Sequence, residues 1–178
     1  MKWYHWLGIG VGIAAVSGVF NRQRVMSDLK KVRLSPNFTL DEFVVTSTGL
    51  DNVPGPTEIE NLRQLVINIL QPLRTYLNQP LVISSGYRSP LVNTAIGGSK
   101  TSQHSLGQAA DFSVPGLTNA QIIEAIRHLK LPYDQLIDEQ LRGKKWIHVS
   151  YSAKPRKQLM TARDGANGGT VYTTIKVG

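Results

Sequence analysis

Apolar positions along the 178-residue chain change their period several times, and each change marks an element. Ile59, Leu62, Val66, Ile69, Leu73 and Leu77 recur at spacings of three and four, which predicts an amphipathic helix with one side facing a core. Pro54-Gly55-Pro56 breaks the chain ahead of it, and Thr57-x-x-Glu60 has the form of a capping box that would start it. Pro72 lies inside the pattern and should bend or shorten the helix, because its ring removes an amide donor. An earlier box, Thr39-x-x-Glu42 before Phe43, predicts a short helix. Residues 81–85 read as a buried strand ended by Gly86. Ser89-Pro90 reads as a cap with proline at the first helical position, opening a short helix through Ala95. Residues 108–114 alternate as a strand that puts Ala109, Asp111 and Ser113 on one face. Thr118-x-x-Gln121 caps a helix with Ile122, Ile123, Ile126 and Leu129 inward. Residues 135–139 and 145–151 read as two strands joined by a polar loop containing Gly143, and β-branched residues 170–177 as a last strand. Helices first and then mostly strands predict an α+β domain, a small antiparallel sheet with helices packed on one side.

The N-terminus does not fit that alternation. Residues 6–20 form an apolar and small-residue run preceded by Lys2, and counted from Trp3 the run reaches 18 residues. Ala15-Val16-Ser17 resembles a signal cleavage site, while Gly8 and Gly12 would allow close packing against another helix in a membrane. Arg22, Arg24, Lys30, Lys31 and Arg33 follow, charges that would hold the C-terminal side of an uncleaved anchor in the cytoplasm. The division expected is therefore residues 1–34 as signal, anchor or docking helix with a basic linker, and residues 35–178 as one globular domain.

Composition narrows the chemistry. The chain has no cysteine, so disulfides, thiol nucleophiles and cysteine-based metal sites are excluded. A net charge of +8 points to an anionic partner: nucleic acid, anionic lipid or an anionic wall polymer. Any metal must be held by carboxylates and the four histidines, His5, His104, His128 and His148. Ser102, His104, Gly107, Ala109 and Asp111 give the spacing S-x-H-x-x-G-x-A-x-D, and Trp146-Ile147-His148-Val149-Ser150 supplies a further histidine on a predicted strand. Taken singly, His104 reads as a loop histidine, Asp111 as a strand-end carboxylate and His148 as a core histidine. Taken together, two imidazoles and a carboxylate are the donor set of a catalytic zinc that keeps one position open.

This pattern, preceded by Ser85-Gly86-Tyr87-Arg88-Ser89, resembles the zinc D-alanyl-D-alanine carboxypeptidases, grouped with lysostaphin and the hedgehog signalling domain as the LAS metallopeptidases. The likeness runs from about residue 37 through 151, takes in Asp51-Asn52, Pro54 and Gly97-Gly98, and is nearest to the small bacterial and phage branch. It implies the hedgehog/D-Ala-D-Ala peptidase fold and one zinc ion held by His104, Asp111 and His148. It further implies hydrolysis of a D-amino-acid-containing bond in peptidoglycan stem peptides. Glu139 is the position nearest to the family's general base, which takes a proton from the zinc-bound water and passes it to the leaving amine. Its distance of nine residues from His148 departs from relatives with Glu-x-x-His, and Asp138 is the rival. Arg88 matches the arginine that holds the substrate carbonyl or carboxylate, where it would steady an oxyanion.

Ser102 and Gln103 are candidates for contacts to substrate or to the ligands, and Tyr87 and Trp146 for core or cleft. Lys154, Arg156, Lys157 and Arg163 are candidates for contact with anionic wall material, or simply a solvated positive face. The expected setting is the cell envelope or periplasm, or a phage particle, with a monomeric chain, membrane or partner-helix contact through residues 3–20, and no nucleic acid. Carboxypeptidase and endopeptidase action remain open at this level. The alternative is a non-catalytic, zinc-stabilised wall-binding or assembly module on the same fold.

Overall fold

The computed structural model describes residues 28, 29 and 31–175, so the hydrophobic run of residues 3–20 lies outside the described residues. Among the described residues, no helix is long and apolar enough to cross a membrane. Strands β1 (Arg33–Ser35) and β2 (Phe38–Thr39) form a small antiparallel ribbon. A 3-10 turn over Leu40–Phe43 follows, and Glu42 reaches back to the Thr39 amide as its sequence predicts.

The long helical pattern begins at Pro56 rather than behind a Thr57 cap. Gly55 is the cap residue and Pro56 fills the first turn, where a missing amide costs nothing. The helix then runs as α1 (Pro56–Leu65), a π turn (Val66–Leu70) and α2 (Gln71–Leu77). Pro72 therefore neither shortens nor ends it. The wide turn just upstream, in which the Gln71 amide bonds to the Val66 carbonyl, lets the chain pass a residue that cannot donate.

Strand β3 (Val82–Ser85), helix α3 (Pro90–Ala95), strand β4 (Ala109–Ser113) and helix α4 (Asn119–His128) come next. Strands β5 (Tyr133–Leu141), β6 (Lys144–Tyr151), β7 (Gln158–Asp164) and β8 (Thr170–Thr174) complete the domain. The six-stranded sheet has the order β3-β4-β6-β5-β7-β8. β3 is an edge strand with Val82 half exposed, not the buried strand its apolar run suggests. All neighbours are antiparallel except β5 and β7, which are parallel. β5 and β6 are joined through Arg142 and Gly143 alone, both at positive φ, the conformation that suits the right-handed twist of a tight hairpin.

Two faces of the sheet have different tasks. Ala110, Phe112, Leu136, Ile147 and Val149 point into the core shared with Leu62, Leu65, Ile69 and Leu73 of the long helix and Ile122 and Ile126 of α4. The alternate positions, Ala109, Asp111, Ile137, Glu139 and His148, lie on the opposite face. One face packs against the helices, and the other presents Asp111, Glu139 and His148.

Candidate metal centre and cleft

Register puts two of the ligand candidates side by side. Asp111 on β4 is directly opposite His148 on β6, and His148 is directly opposite Ile137 on β5. Residues paired in this way share a face, with Cβ atoms about 5 Å apart. His104 arrives from a 3-10 turn (Gln103–Leu106) that Gly107 ends in the left-handed region at φ 69°. A Cβ on Gly107 would also lie 2.4 Å from the Glu58 carbonyl oxygen, so the turn is pressed against α1 at a point only glycine fits.

The three side chains converge. His104 Nε2 lies 3.2 Å from His148 Nδ1 and 3.2 Å from Asp111 Oδ1, and His148 Nδ1 lies 2.9 Å from Asp111 Oδ1. All three residues are buried. His104 Nδ1 donates to the Gly86 carbonyl at 2.6 Å, which leaves Nε2 with a bare lone pair. The Arg88 amide returns a bond to the His104 carbonyl, so the two loops clamp each other. Burial holds His104 below the ordinary histidine range, against the pull of Asp111. Burial would raise Asp111, but His104 and His148 outweigh it and keep the carboxyl ionised, far below the usual range.

A bare nitrogen and an ionised oxygen 3.2 Å apart repel one another unless a positive charge lies between them. Donors held at about 2.0–2.2 Å around a tetrahedral ion are themselves separated by about 3.3–3.6 Å, so the triangle, with sides of 2.9 to 3.2 Å, has to open by only a few tenths of an ångström to take one. The triangle of His104, Asp111 and His148 could hold a divalent cation, and its two imidazoles and one carboxylate are donors that suit zinc.

Other residues from the sequence analysis fall around this triangle. Arg88 donates through Nη2 to Asp111 Oδ2 at 2.5 Å and through Nε to Ser85 Oγ at 2.8 Å, so it grips the carboxylate oxygen that faces away from the histidines. Glu139 lies in the same cleft, only 8% exposed, opposite Trp146 and two positions along β5 from Ile137. Burial, then the charge of Asp111, raises its carboxyl to about 7. Asp138 points the other way, where Asn119, Arg163 and Gln140 hold it. Nine residues separate Glu139 from His148 because the chain passes through the two-residue hairpin; the pairing brings them into adjacent rows.

The cleft has a volume of about 870 Å³ and extends to both sides of the ligand row. Tyr87 belongs to the core, whereas Trp146 lines the cleft. His128 lies on α4 against Tyr76, away from the site, and His5 is outside the described residues. Among the basic tail residues, Arg156 lines the cleft while Arg163 turns away to Asp138. Two contributions are not visible in the spacing. Asn52, buried, donates to the Val44 and Tyr87 carbonyls and accepts from the Ser89 amide, fixing the loop that carries Arg88. Tyr172, on the last strand, joins the cleft because it pairs with Ala162, which pairs with Glu139. In the sequence Asn52 stood out only as part of the resemblance, and Tyr172 carried no signal.

Comparison with known proteins adds one match. The family model described as Peptidase M15 matches residues 36–150, from the turn between β1 and β2 to Ser150, two positions past His148 on β6. No curated protein matches the chain.

Proposed function

The chain belongs to the Peptidase M15 family, and we propose that it hydrolyses a D-amino-acid-containing peptide bond in the stem peptides of peptidoglycan. Family membership makes it a zinc-dependent metallopeptidase with a His-Asp-His donor group. The bond and its setting in the cell envelope are our reading. The observation that carries it is the convergence of His104 Nε2, His148 Nδ1 and Asp111 Oδ1 within a cleft that also contains Glu139 and Arg88.

His104, Asp111 and His148 would hold the zinc, which when bound supplies a Lewis acid for the carbonyl and for water. Glu139 takes the proton of the attacking water and returns it to the leaving amine. Burial, then the charge of Asp111, raises this carboxyl in the metal-free chain, the direction that a proton acceptor working near neutral pH requires. Arg88 holds Asp111 in place through Oδ2, and its positive charge beside the cleft favours the oxygen anion that develops as water adds. Trp146 lies directly opposite Glu139 on β6, and Tyr172 lines the same cleft two strands away on the other side.

The reading is tested by mass spectrometry of purified peptidoglycan fragments digested with the zinc-loaded chain, with His104→Ala and with Glu139→Gln. Fragments are expected only from the unsubstituted protein. Loss of a single terminal residue marks a carboxypeptidase, and cleavage within the stem an endopeptidase. Equal products from His104→Ala would sink the proposed site.

A further inference from the structure

The sheet gives the cleft a direction. Glu139, Trp146 and Tyr172 lie on one side of the ligand row, and Gln135, Gln103 and Arg156 on the other. Successive rows on one face are about 7 Å apart, roughly two residues of an extended peptide. A substrate whose scissile carbonyl sits at the ligand row therefore reaches the second group within two residues of the bond.

Arg156 is the unusual member of that group. It precedes β7 and lies beyond the segment matched by the family. Its partner Asp134 is only 2% exposed, and that carboxylate is used up within the protein. Asp134 Oδ1 accepts from the Arg156 amide at 2.7 Å and from Nε at 3.1 Å, while Oδ2 accepts from Nη2 at 2.5 Å and from Gln103 Nε2 at 3.0 Å. Nη2 also reaches Gln103 Oε1 at 3.3 Å. The hydrogen bonds that Arg156 donates to Asp134 hold the carboxyl below its usual range and the guanidinium above its own, so both stay charged. Half of the Arg156 side chain, 51%, nevertheless remains exposed at the cleft. With Nε and Nη2 locked on Asp134 and Gln103, the guanidinium has already lost the rotamer freedom that binding would cost. Nη1 makes no hydrogen bond to the described residues, and a charged N–H donor at the cleft matches a carboxylate better than any neutral group.

We propose that Arg156, held by Asp134 and Gln103, is a specificity-determining residue that binds a free carboxylate of the substrate within about two residues of the scissile bond. The substrate class is thus an anionic peptide, and amidation of one carboxylate weakens it. The inference rests on the peptidase reading above and deepens it.

The test uses a stem peptide and a panel in which each carboxylate is amidated in turn, digested by the zinc-loaded full chain and followed by mass spectrometry. For the unsubstituted protein, one amidation should lower kcat/KM about ten- to a hundredfold, chiefly through KM. Arg156→Gln should lose that discrimination, cutting the free and amidated peptides at similar rates. Arg156→Lys, which keeps the charge without the fork, should fall between them. A purely structural Arg156 would slow both peptides equally and leave their ratio intact, which overturns the inference. So does an unsubstituted protein that cuts the whole panel alike, a result independent of how well either variant folds. A protein that cuts none of the panel takes the peptidase reading down as well.

Discussion

Glu139 carries a buried carboxyl that the fold prefers to keep protonated. Its value of about 7 in the folded chain lies above the ordinary 4.5, so between those limits the folded protein holds a proton that the unfolded chain has released. Stability from this group is complete below the lower limit, falls as pH rises through the window, and is flat above it. The difference amounts to about 3 kcal/mol. Glu139→Gln removes the penalty. Thermal melts of the metal-free chain at about pH 5 and about pH 8 should show the variant gaining on the unsubstituted protein at the higher pH. A constant gap at both pH values would show that Glu139 is not held in this way. In the zinc-loaded enzyme the same substitution should cost about 10²–10⁴ in kcat, the usual weight of a general base. At this scale the sequence was informative about identity and poor about environment. The grouping of His104, Asp111 and His148 was legible because metal ligands must be a few residue types, and the fold does bring the three together. Strand parity put only one of Glu139 and Asp138 on the cleft face, and the register of the hairpin makes it Glu139. The fate of Arg156 was not legible, since its buried partner Asp134 is a long-range contact that no local pattern encodes.

Elements succeed where their signals are local. Both Thr39 and Thr118 open turns with the reciprocal bonds their spacing predicts, and Ser89 caps α3 through the Val92 amide. The glycine of the ligand motif is explained by two demands met together, a positive φ at the end of the His104 turn and close contact with the Glu58 carbonyl of α1. Gly107→Ala should therefore destabilise the chain by about 2 kcal/mol or more, since it meets both strain and backbone overlap. Chemical denaturation checks this, and zinc titration should show weakened binding, because the same turn aims His104. Unchanged stability would mean that α1 can yield at that point. Signals fail where tertiary contacts override them. The Thr57 box loses to Gly55 and Pro56, and Pro72 is absorbed by a π turn that no propensity scale anticipates. Strand β7 was not foreseen: its sequence, Gln158 to Asp164, is half polar and gains its place by pairing in parallel with β5.

For the whole molecule, the ligands and the core are separable. His104, Asp111 and His148 come from a turn, β4 and β6, so a bound cation ties three elements together on one face of the sheet. The apolar core lies on the opposite face, between the sheet and the helices, and includes none of these side chains. A site of this kind should add stability by mass action without being required for folding. At free zinc about a hundred times the dissociation constant, the gain is about 2.7 kcal/mol. For a chain of this size each kcal/mol moves the midpoint by about 2–4 °C. Chelation should thus lower Tm by about 5–10 °C while leaving a single cooperative transition, and returning zinc should restore it. His104→Ala should already melt at the lower temperature and respond to neither treatment. Loss of the transition on chelation would instead make the cation part of the core. That outcome would put the burden of folding on the cleft face, and the separation of scaffold from chemistry across the sheet would no longer hold.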